Sequence, residues 1–480
     1  MITRAKGCYD FYGEEAKKML YINHLIDMLM EKYHYSFIRT PLFESSELFH
    51  RGIGESSDIV TKETYDFKDR GDRDLTLRPE GTAGVVRSYI ENKIYGEELP
   101  SKFYYNGTMY RYERPQSGRD RELTQFGCEL LGSDDPMADA EIISIPYQLF
   151  TMLGLKKVKV NLNTLGDEQS RNAYRKALID YFTKYKEDLC DDCKMRLEKN
   201  PLRILDCKVD GDKEYFKGAP KILDYLNEES RTRFKKVQKY LDILSIPYEV
   251  NPSIVRGLDY YTHTVFEIEA EVEGFGSQNV LGAGGRYNNL VEELGGPSTP
   301  CVGFAAGLGR IMLALEKEKI SLPINNAVDV FIMYVNEEEK DYALYLTQAL
   351  RLSGFSVDTE YTSRSLKSQF KQADRMNSKF LIILNSEDLD ENMVNVKNNV
   401  TKEEQKIELD YLSYYLDEQL ADDEECDDAC ECNHTDCHCH GECDNNNTCD
   451  CGCHCDDDCN CGCQENEECT CDGECHCHKD

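Results

Sequence analysis

Apolar side chains at Ala16, Met19, Leu20, Leu25, Ile26 and Leu29 recur at roughly helical spacing in GEEAKKMLYINHLIDMLMEKY, which predicts an amphipathic helix over 13–33. SFIRTPLFE then reads as an extended segment, and Pro41 confines it to a sheet edge or the rim of an interface. Between 98 and 132 two aromatic, alternating runs flank a loop that holds Pro115, Gly118 and four arginines, the pattern of a long antiparallel hairpin with a basic tip. KVKVNLNTL alternates as a strand over 157–165. The charged stretch 168–250 is mainly helical, with Phe234, Val237, Leu241 and Leu244 on one helix face and Arg233, Lys235, Lys236 and Lys239 elsewhere, as expected of an inserted helical module. Strands resume in IVRGLDYYTHTVFEIEAEV, QNVLGAGGRYNNLV reads as a glycine-rich turn, and CVGFAAGLGRIMLALEKE as strand, turn and helix. After SLPINNA at 321–327, strands and helices alternate through VDVFIMYV, FSVDTEY and KFLIILN, with helices near 337–353 and 364–377. That alternation predicts a small α/β domain with a largely parallel sheet.

Composition divides the 480 residues into two different polymers. Of 23 cysteines, 17 fall between Cys426 and Cys477, and residues 421–480 hold 20 acidic side chains, one lysine, and no aromatic, Leu, Ile, Val or Met. No packed core can form from that tail, so it is expected to be disordered. The other 420 residues carry 70 acidic and 55 basic side chains, so any contact with nucleic acid must rest on local basic patches rather than on global charge. No signal-like or 18-residue apolar stretch is present, and cysteines are sparse outside the tail. These features predict a cytoplasmic protein without membrane insertion.

The usual helix-terminus phosphate cradles, G-x-x-x-x-G-K-[ST] and G-x-G-x-x-G, are missing. A bound nucleotide would therefore have to be held by side chains. Arginine suits that task, because its planar fork grips phosphate oxygens bidentately and stays charged. Arg111, Arg114, Arg119 and Arg121 sit in the hairpin, with Arg256 and Arg310 further on. Beside them LRPEGTAG presents Glu80 and Thr82, and QFGCE puts Gln125 and Glu129 on one face of a strand, where acceptors could meet an ammonium group or an imidazole N–H.

Five segments in order carry a family resemblance: RTPLFE around Pro41, YRYE at Tyr110–Glu113 with the second strand through Glu129, RGLDYYTHTVFE at Arg256–Glu267, GAGGRYNNL at Gly282–Leu290, and GFAAGLGR ending at Arg310. From about residue 1 to 418 the chain resembles the histidyl-tRNA synthetases, a family of class II aminoacyl-tRNA synthetases. The resemblance implies an α+β catalytic domain built on an antiparallel sheet over 1–167 and 251–320, interrupted by a helical insertion at 168–250. A linker at 321–327, an anticodon-binding-like α/β domain at 328–418 and the Cys-rich tail at 421–480 follow.

By the same resemblance, L-histidine is joined to tRNA(His) through a histidyl-adenylate, with ATP consumed together with its bound Mg²⁺ as the substrate form and AMP and pyrophosphate released. Arg111 would hold the α-phosphate, Arg119 and Arg310 the far phosphates and adenine, with Glu113 near the adenine. Glu80, Thr82 and Gln125 would receive the α-amino group, Glu129 and Tyr261 the imidazole, and Tyr260 would line the pocket. Arg256 would face the histidine carboxylate and α-phosphate, and Gly284 and Gly285 would let the backbone approach the ligand. Arg114 and Gln116 would approach the acceptor end of the tRNA. The basic face of the 230–244 helix would lie along its acceptor stem, and Arg364, Lys367, Lys371 and Arg375 would form a stripe on the C-terminal domain. The enzyme would be a homodimer meeting around Pro41.

Three positions depart from the family's usual pattern: Leu123 where phenylalanine is frequent, His263 where glycine is common, and Asn288 in place of an aspartate. Cys190, Cys193 and Cys207 lack an evident fourth ligand in the sequence, so unbound thiols are expected there. In the tail, Cys449, Cys451, Cys453, Cys455, Cys459, Cys461 and Cys463 alternate with carboxylates and a histidine in a way that can wrap Zn²⁺ or Cu⁺. Charging is expected not to need that tail. Two rival readings share parts of these features: a regulatory subunit of ATP phosphoribosyltransferase, and a metal-binding protein with an inactive synthetase body.

Overall fold

The computed structural model describes residues 1–421 apart from 54–56, 58, 115–117, 119, 208, 255–259, 276–278 and 325–326. They form two compact units, Met1–Ile324 and one that begins at Asn325.

The first unit is organised around an eight-stranded sheet. Its order is Ser36–Phe37, Ser101–Tyr110, Glu122–Leu131, Cys301–Gly307, Val280–Arg286, Thr262–Ala270, Val158–Thr164 and Tyr248–Val250. Only the two outermost pairings are parallel. The hairpin predicted from alternation is formed, with Ser101 opposite Leu131 and Tyr110 opposite Glu122. The segment read as a glycine-rich turn, around Gly282–Arg286, is instead a central strand. Glycine there serves close strand packing: a Cβ on Gly284 would lie 2.2 Å from the Gly303 carbonyl oxygen, and one on Gly285 2.5 Å from that of Thr264.

Against the sheet lie the helices Gly13–Tyr33, Pro136–Met152, Glu228–Ile243 and Leu308–Lys317, sharing one apolar core. The first has the predicted bounds, although Leu20 is exposed and Ile22 and Met30 are buried instead. Helix Pro136–Met152 escaped the sequence reading because it is apolar nearly all round and carries no single stripe. Its start is well marked nonetheless, since Asp135 accepts from Met137 N at 2.8 Å and Pro136 occupies the first turn. In Glu228–Ile243, Phe234, Val237 and Leu241 are buried in this main core, whereas Leu244 lies past the helix end and is exposed. A second core, running from Tyr174 to Leu226, belongs to the inserted helical segment. The separately cored module is thus shorter than the charged stretch 168–250. The caps Asp167 and Asn227 join its two ends, Asn227 Nδ2 donating to Asp167 Oδ2 at 2.6 Å.

In the second unit the strands run in the order Val357–Thr359, Val330–Tyr334, Phe380–Leu384, Met393–Asn398 and Glu404–Glu408. The first three are parallel, as the alternation predicts, but the last two are antiparallel. MVNVKN and EQKIE are polar enough on one face to pass for loop. Among the described residues no helix is long and apolar enough to cross a membrane.

Candidate active site

A cavity of about 720 Å³ opens in the first unit, on the central strands of the sheet. Glu80, Thr82, Arg111, Glu113, Leu123, Gln125, Glu129, Tyr260, Tyr261 and Arg310 all line it, from segments up to 230 positions apart.

One end of the cavity is built around carboxylates. Glu80 immediately precedes the helix Thr82–Glu91, and its two oxygens accept from Thr82 N at 2.7 Å and Ala83 N at 2.8 Å. A carboxylate at a helix start satisfies two of the amides the helix itself leaves unpaired and meets the positive end of its dipole. Burial nevertheless raises its pKa. Glu129 is fully buried, and burial pushes its pKa up to about 8. Thr82 Oγ1 donates to Glu129 Oε1 at 2.7 Å, Tyr105 OH to the same oxygen at 3.4 Å, and Tyr287 OH to Oε2. Three neighbouring glycines keep the space clear: a Cβ on Gly303 would stand 1.8 Å from Glu129 Oε2, and one on Gly81 or Gly127 would enter the Tyr105 ring. Gln125 Oε1 is buried without a hydrogen-bond partner, so an acceptor waits there for a donor. Tyr260 stacks obliquely between Tyr261 and Tyr287, with ring centroids 4.8 Å and 5.7 Å away.

Guanidinium groups line the cavity as well. Arg111 donates through Nε to Pro79 O at 2.8 Å and has Nη1 3.9 Å from Glu113 Oε1. Arg310 is fixed by Val280 O at 2.9 Å and Gly118 O at 3.3 Å. Carbonyl anchors of this kind orient each guanidinium in the cavity that it lines.

The family model described as Histidyl-tRNA synthetase matches residues 7–311. The chain belongs to the histidyl-tRNA synthetases. This synthetase is a histidine–tRNA ligase with the class II fold, and the model described as Anticodon binding domain matches its residues 329–419. A Histidine–tRNA ligase of Anoxybacillus flavithermus is 52% identical over 405 residues, 84% of this chain and 96% of that protein. One from a Geobacillus species is 50% identical over 87% of this chain and 99% of its own length. The crystal structure of apo S. aureus histidyl-tRNA synthetase superposes with a TM-score of 0.75 at 42% identity, covering 87% of this chain and all of that one.

Not every residue singled out in the synthetase's sequence reaches the cavity. Arg256, Arg119, Gln116 and the tail cysteines from Cys449 to Cys463 lie outside the described residues. Arg114 is exposed. Gly284 and Gly285 face protein atoms, and the cavity wall from their strand runs from Val280 to Ala283. Arg233, counted with the basic face of its helix, is taken up by Asp134 at 3.1 Å. Arg364 precedes the helix Leu366–Arg375 and donates to Thr362 and Gln372 rather than extending the helical stripe. Tyr105 and Tyr287 escaped the sequence reading, although Tyr287 lies inside the GAGGRYNNL segment that drew attention.

The three departures can be placed in the synthetase. Leu123 presents an apolar wall to the cavity. Asn288 Oδ1 accepts from Cys301 N at 3.2 Å and Arg286 Nη1 at 3.4 Å, and its Nδ2 donates to Asp134 at 3.3 Å, so the amide serves as donor and acceptor at once. His263 has φ 45°, the left-handed backbone that favours glycine, and its Nδ1 is buried without a hydrogen-bond partner.

Burial, reinforced by Arg233 and Arg286 against the opposing Asp134 and Asp139, lowers the His263 pKa to about 4. The folded imidazole is therefore neutral where an unfolded one, near 6.5, takes a proton. The stability it permits is fully present above pH 6.5 and is lost as pH falls toward 4, by up to ~3 kcal/mol. His263→Gly is expected to raise the melting temperature more at pH 5 than at pH 8. Equal shifts at both pH values would rule out the titration.

Proposed function

We propose that the chain joins L-histidine to tRNA(His) in two steps, through a histidyl-adenylate, releasing pyrophosphate and then AMP. What carries the reading is a single cavity in which buried acceptors, Glu80, Gln125 and Glu129, and anchored guanidiniums, Arg111 and Arg310, share one lining. An amino acid with an ammonium group and an imidazole N–H suits the former, and a nucleoside triphosphate suits the latter. Mg²⁺ arrives with the ATP phosphates as part of the substrate.

Attack of the histidine carboxylate on the α-phosphorus concentrates negative charge at that phosphate. Arg111, with Arg256 assigned to the same atoms by resemblance, would stabilise it without a protein nucleophile. Arg310 and Arg119 would take the outer phosphates and adenine, with Glu113 beside the adenine. Glu80, Thr82 and Gln125 would receive the α-amino group, while Glu129 and Tyr261 would receive the imidazole. An amino acid lacking a ring N–H would leave Glu129 without its partner, so selection at binding suffices without editing.

The tRNA(His) would meet Arg114 at the hairpin, the exposed Lys235, Lys236 and Lys239 of the helix Glu228–Ile243, and Lys367, Lys371 and Arg375 in the second unit, all of which are exposed. The regulatory-subunit reading is disfavoured by the anticodon-binding match at 329–419 and by the arginines of the cavity.

Histidine-dependent exchange of pyrophosphate into ATP tests the proposal. Exchange is expected from the full chain and, at an equal rate, from a chain ending at residue 421, while Arg111→Ala should lose on the order of 10²-fold or more. No exchange by the pure protein would sink the enzyme reading. A rate that falls with tail removal and zinc content would give the tail, with its soft-metal thiols, a part in charging.

The active form is proposed to be a homodimer of the cytoplasm, where the six free thiols of the described residues remain reduced. Phe37, Leu42, Phe43 and Phe67 are exposed by 56%, 43%, 51% and 41% around Pro41, an apolar surface that a second copy would cover. Sedimentation should give a dimer, and Phe43→Asp should shift it toward monomer. A wild-type monomer at micromolar concentration would refute the assignment.

A further inference from the structure

The helical segment between Glu168 and Leu226 contains a cluster of reactive side chains that the cavity does not use. Cys190 stands just before the helix Asp191–Lys199, and Cys193 follows within its first turn, on the same side. The short helical turn Pro201–Asp206 then brings Cys207 back against both. A tight turn after it folds Asp210 inward, with Asp210 N donating to Cys207 Sγ at 3.3 Å and Gly211 N to Cys207 O at 2.8 Å. Glycine is needed at 211, where a Cβ would lie 2.5 Å from that carbonyl oxygen.

The three sulfurs and a carboxylate oxygen of Asp210 all lie within 4.8 Å of one another. Asp210 thus sets a fourth donor atom beside the three thiols, one that is not evident in the sequence. Cys190 Sγ and Cys207 Sγ are 3.7 Å apart. Two thiolates bound at ~2.3 Å to one tetrahedral ion stand about 3.8 Å apart, so this pair already has the edge length of a zinc site.

Cys193, Cys207 and Asp210 are buried, which is an expensive place for a carboxylate among thiols unless a cation is shared. Lys213 Nζ, 2.8 Å from Asp210 Oδ1, and Cys190 N, 2.8 Å from Oδ2, already orient the carboxylate. A divalent ion and Lys213 would together offset three of the four negative charges of a fully deprotonated set. Donors that are mostly thiolate select a soft or borderline ion over Mg²⁺ or Ca²⁺, and four protein ligands leave no open position for substrate.

We propose that Cys190, Cys193, Cys207 and Asp210 form a closed structural zinc site that clasps the helical insertion. None of the four lines the cavity, so the role of the ion is to hold the turns between Leu189 and Gly211 together.

The tail offers zinc many other thiols, so total zinc content does not decide the matter in the full chain. Peptide-resolved alkylation does. Full-length protein is loaded with Zn²⁺, or stripped by a chelator, and then labelled with iodoacetamide under native conditions. Digestion and mass spectrometry read Cys190, Cys193 and Cys207 separately from the tail. All three are expected to label at least about tenfold more slowly with Zn²⁺, because a metal-bound thiolate is not available as a nucleophile. Cys128 and Cys301, buried elsewhere, should be indifferent to the metal and report that the fold is intact.

Asp210→Asn, which keeps the shape and an acceptor for Cys190 N, should reduce the zinc protection severalfold. Labelling of the three cysteines that ignores both Zn²⁺ and chelator would overturn the proposal. So would a Cys190–Cys207 disulfide peptide in the freshly purified protein, which would make the cluster a redox pair. Full protection in Asp210→Asn would overturn the four-ligand set.

Discussion

Glu129→Gln is expected to lower histidine-dependent pyrophosphate exchange by on the order of 10³-fold while leaving the protein folded. The substitution keeps the volume of a fully buried side chain and changes its hydrogen-bonding character. Once it gives up its proton, a change that an imidazole N–H donor favours, Glu129 can accept from Thr82, Tyr105 and Tyr287 and still offer a lone pair to that N–H. The amide presents an NH₂ on one side, so a hydroxyl or the imidazole meets a donor where it needs an acceptor. In a site closed to water such a mismatch costs the full desolvation of the unpaired group.

The same exchange of residues has a second, independent signature. The folded carboxyl keeps its proton up to about pH 8, whereas its ordinary value is 4.5. Across that window the folded state binds the extra proton, so this group's contribution to stability falls as pH rises from about 4.5 to 8. Gln does not titrate. The melting temperature of the variant should therefore gain on wild type between pH 5 and pH 9. Exchange within about threefold of wild type would remove Glu129 from the histidine pocket, and a constant difference in melting temperature would remove the raised pKa.

Which parts of this site were legible depends on how far apart its members lie. Glu80 and Thr82 are two positions apart and act through the start of one helix, so their pairing is visible locally. Gln125 and Glu129 lie on one strand face, which an alternating pattern exposes. Tyr287 reaches Glu129 from 158 positions away, and nothing in a RYNN run that reads as part of a turn points to a carboxylate. Asp210 shows the same limit at short range. It follows Cys207 by three residues, but only the folded turn carries it inward to Cys190 and Cys193. The core was readable where one face is apolar, as in Gly13–Tyr33, and unreadable in Pro136–Met152, which is surrounded by protein. The family motifs supplied roles for the cavity residues that periodicity alone left as paired charges.

Arg286→Ala is expected to destabilise the first unit by about 3–5 kcal/mol, enough to unfold many domains at 37 °C. Arg286 and Asp139 are both fully buried, 147 positions apart in sequence. The guanidinium Nε donates to both Asp139 oxygens at 3.2 and 3.1 Å, Nη1 to Ser133 O at 2.7 Å, and Nη2 to Asp135 O at 3.2 Å. Removing it takes the donor from the Ser133 carbonyl and orphans a carboxylate whose nearest remaining cation, Arg233, is 3.8 Å away. Breaking a buried pair is costly because one charge stays behind, which is a different quantity from what the pair itself contributes. Arg286→Lys should recover only part of the loss, since an ammonium cannot span the same fork of acceptors. Replacing both partners, Arg286→Met with Asp139→Leu, should recover more than either single change. The next residue, Tyr287, donates to Glu129, so variants that remain folded should also show a raised KM for histidine with a smaller change in kcat. Denaturant titration followed by steady-state kinetics separates the two effects. A single Arg286→Ala within 1 kcal/mol of wild type would mean that water reaches Asp139 and that the pair is not the buried clamp its geometry describes.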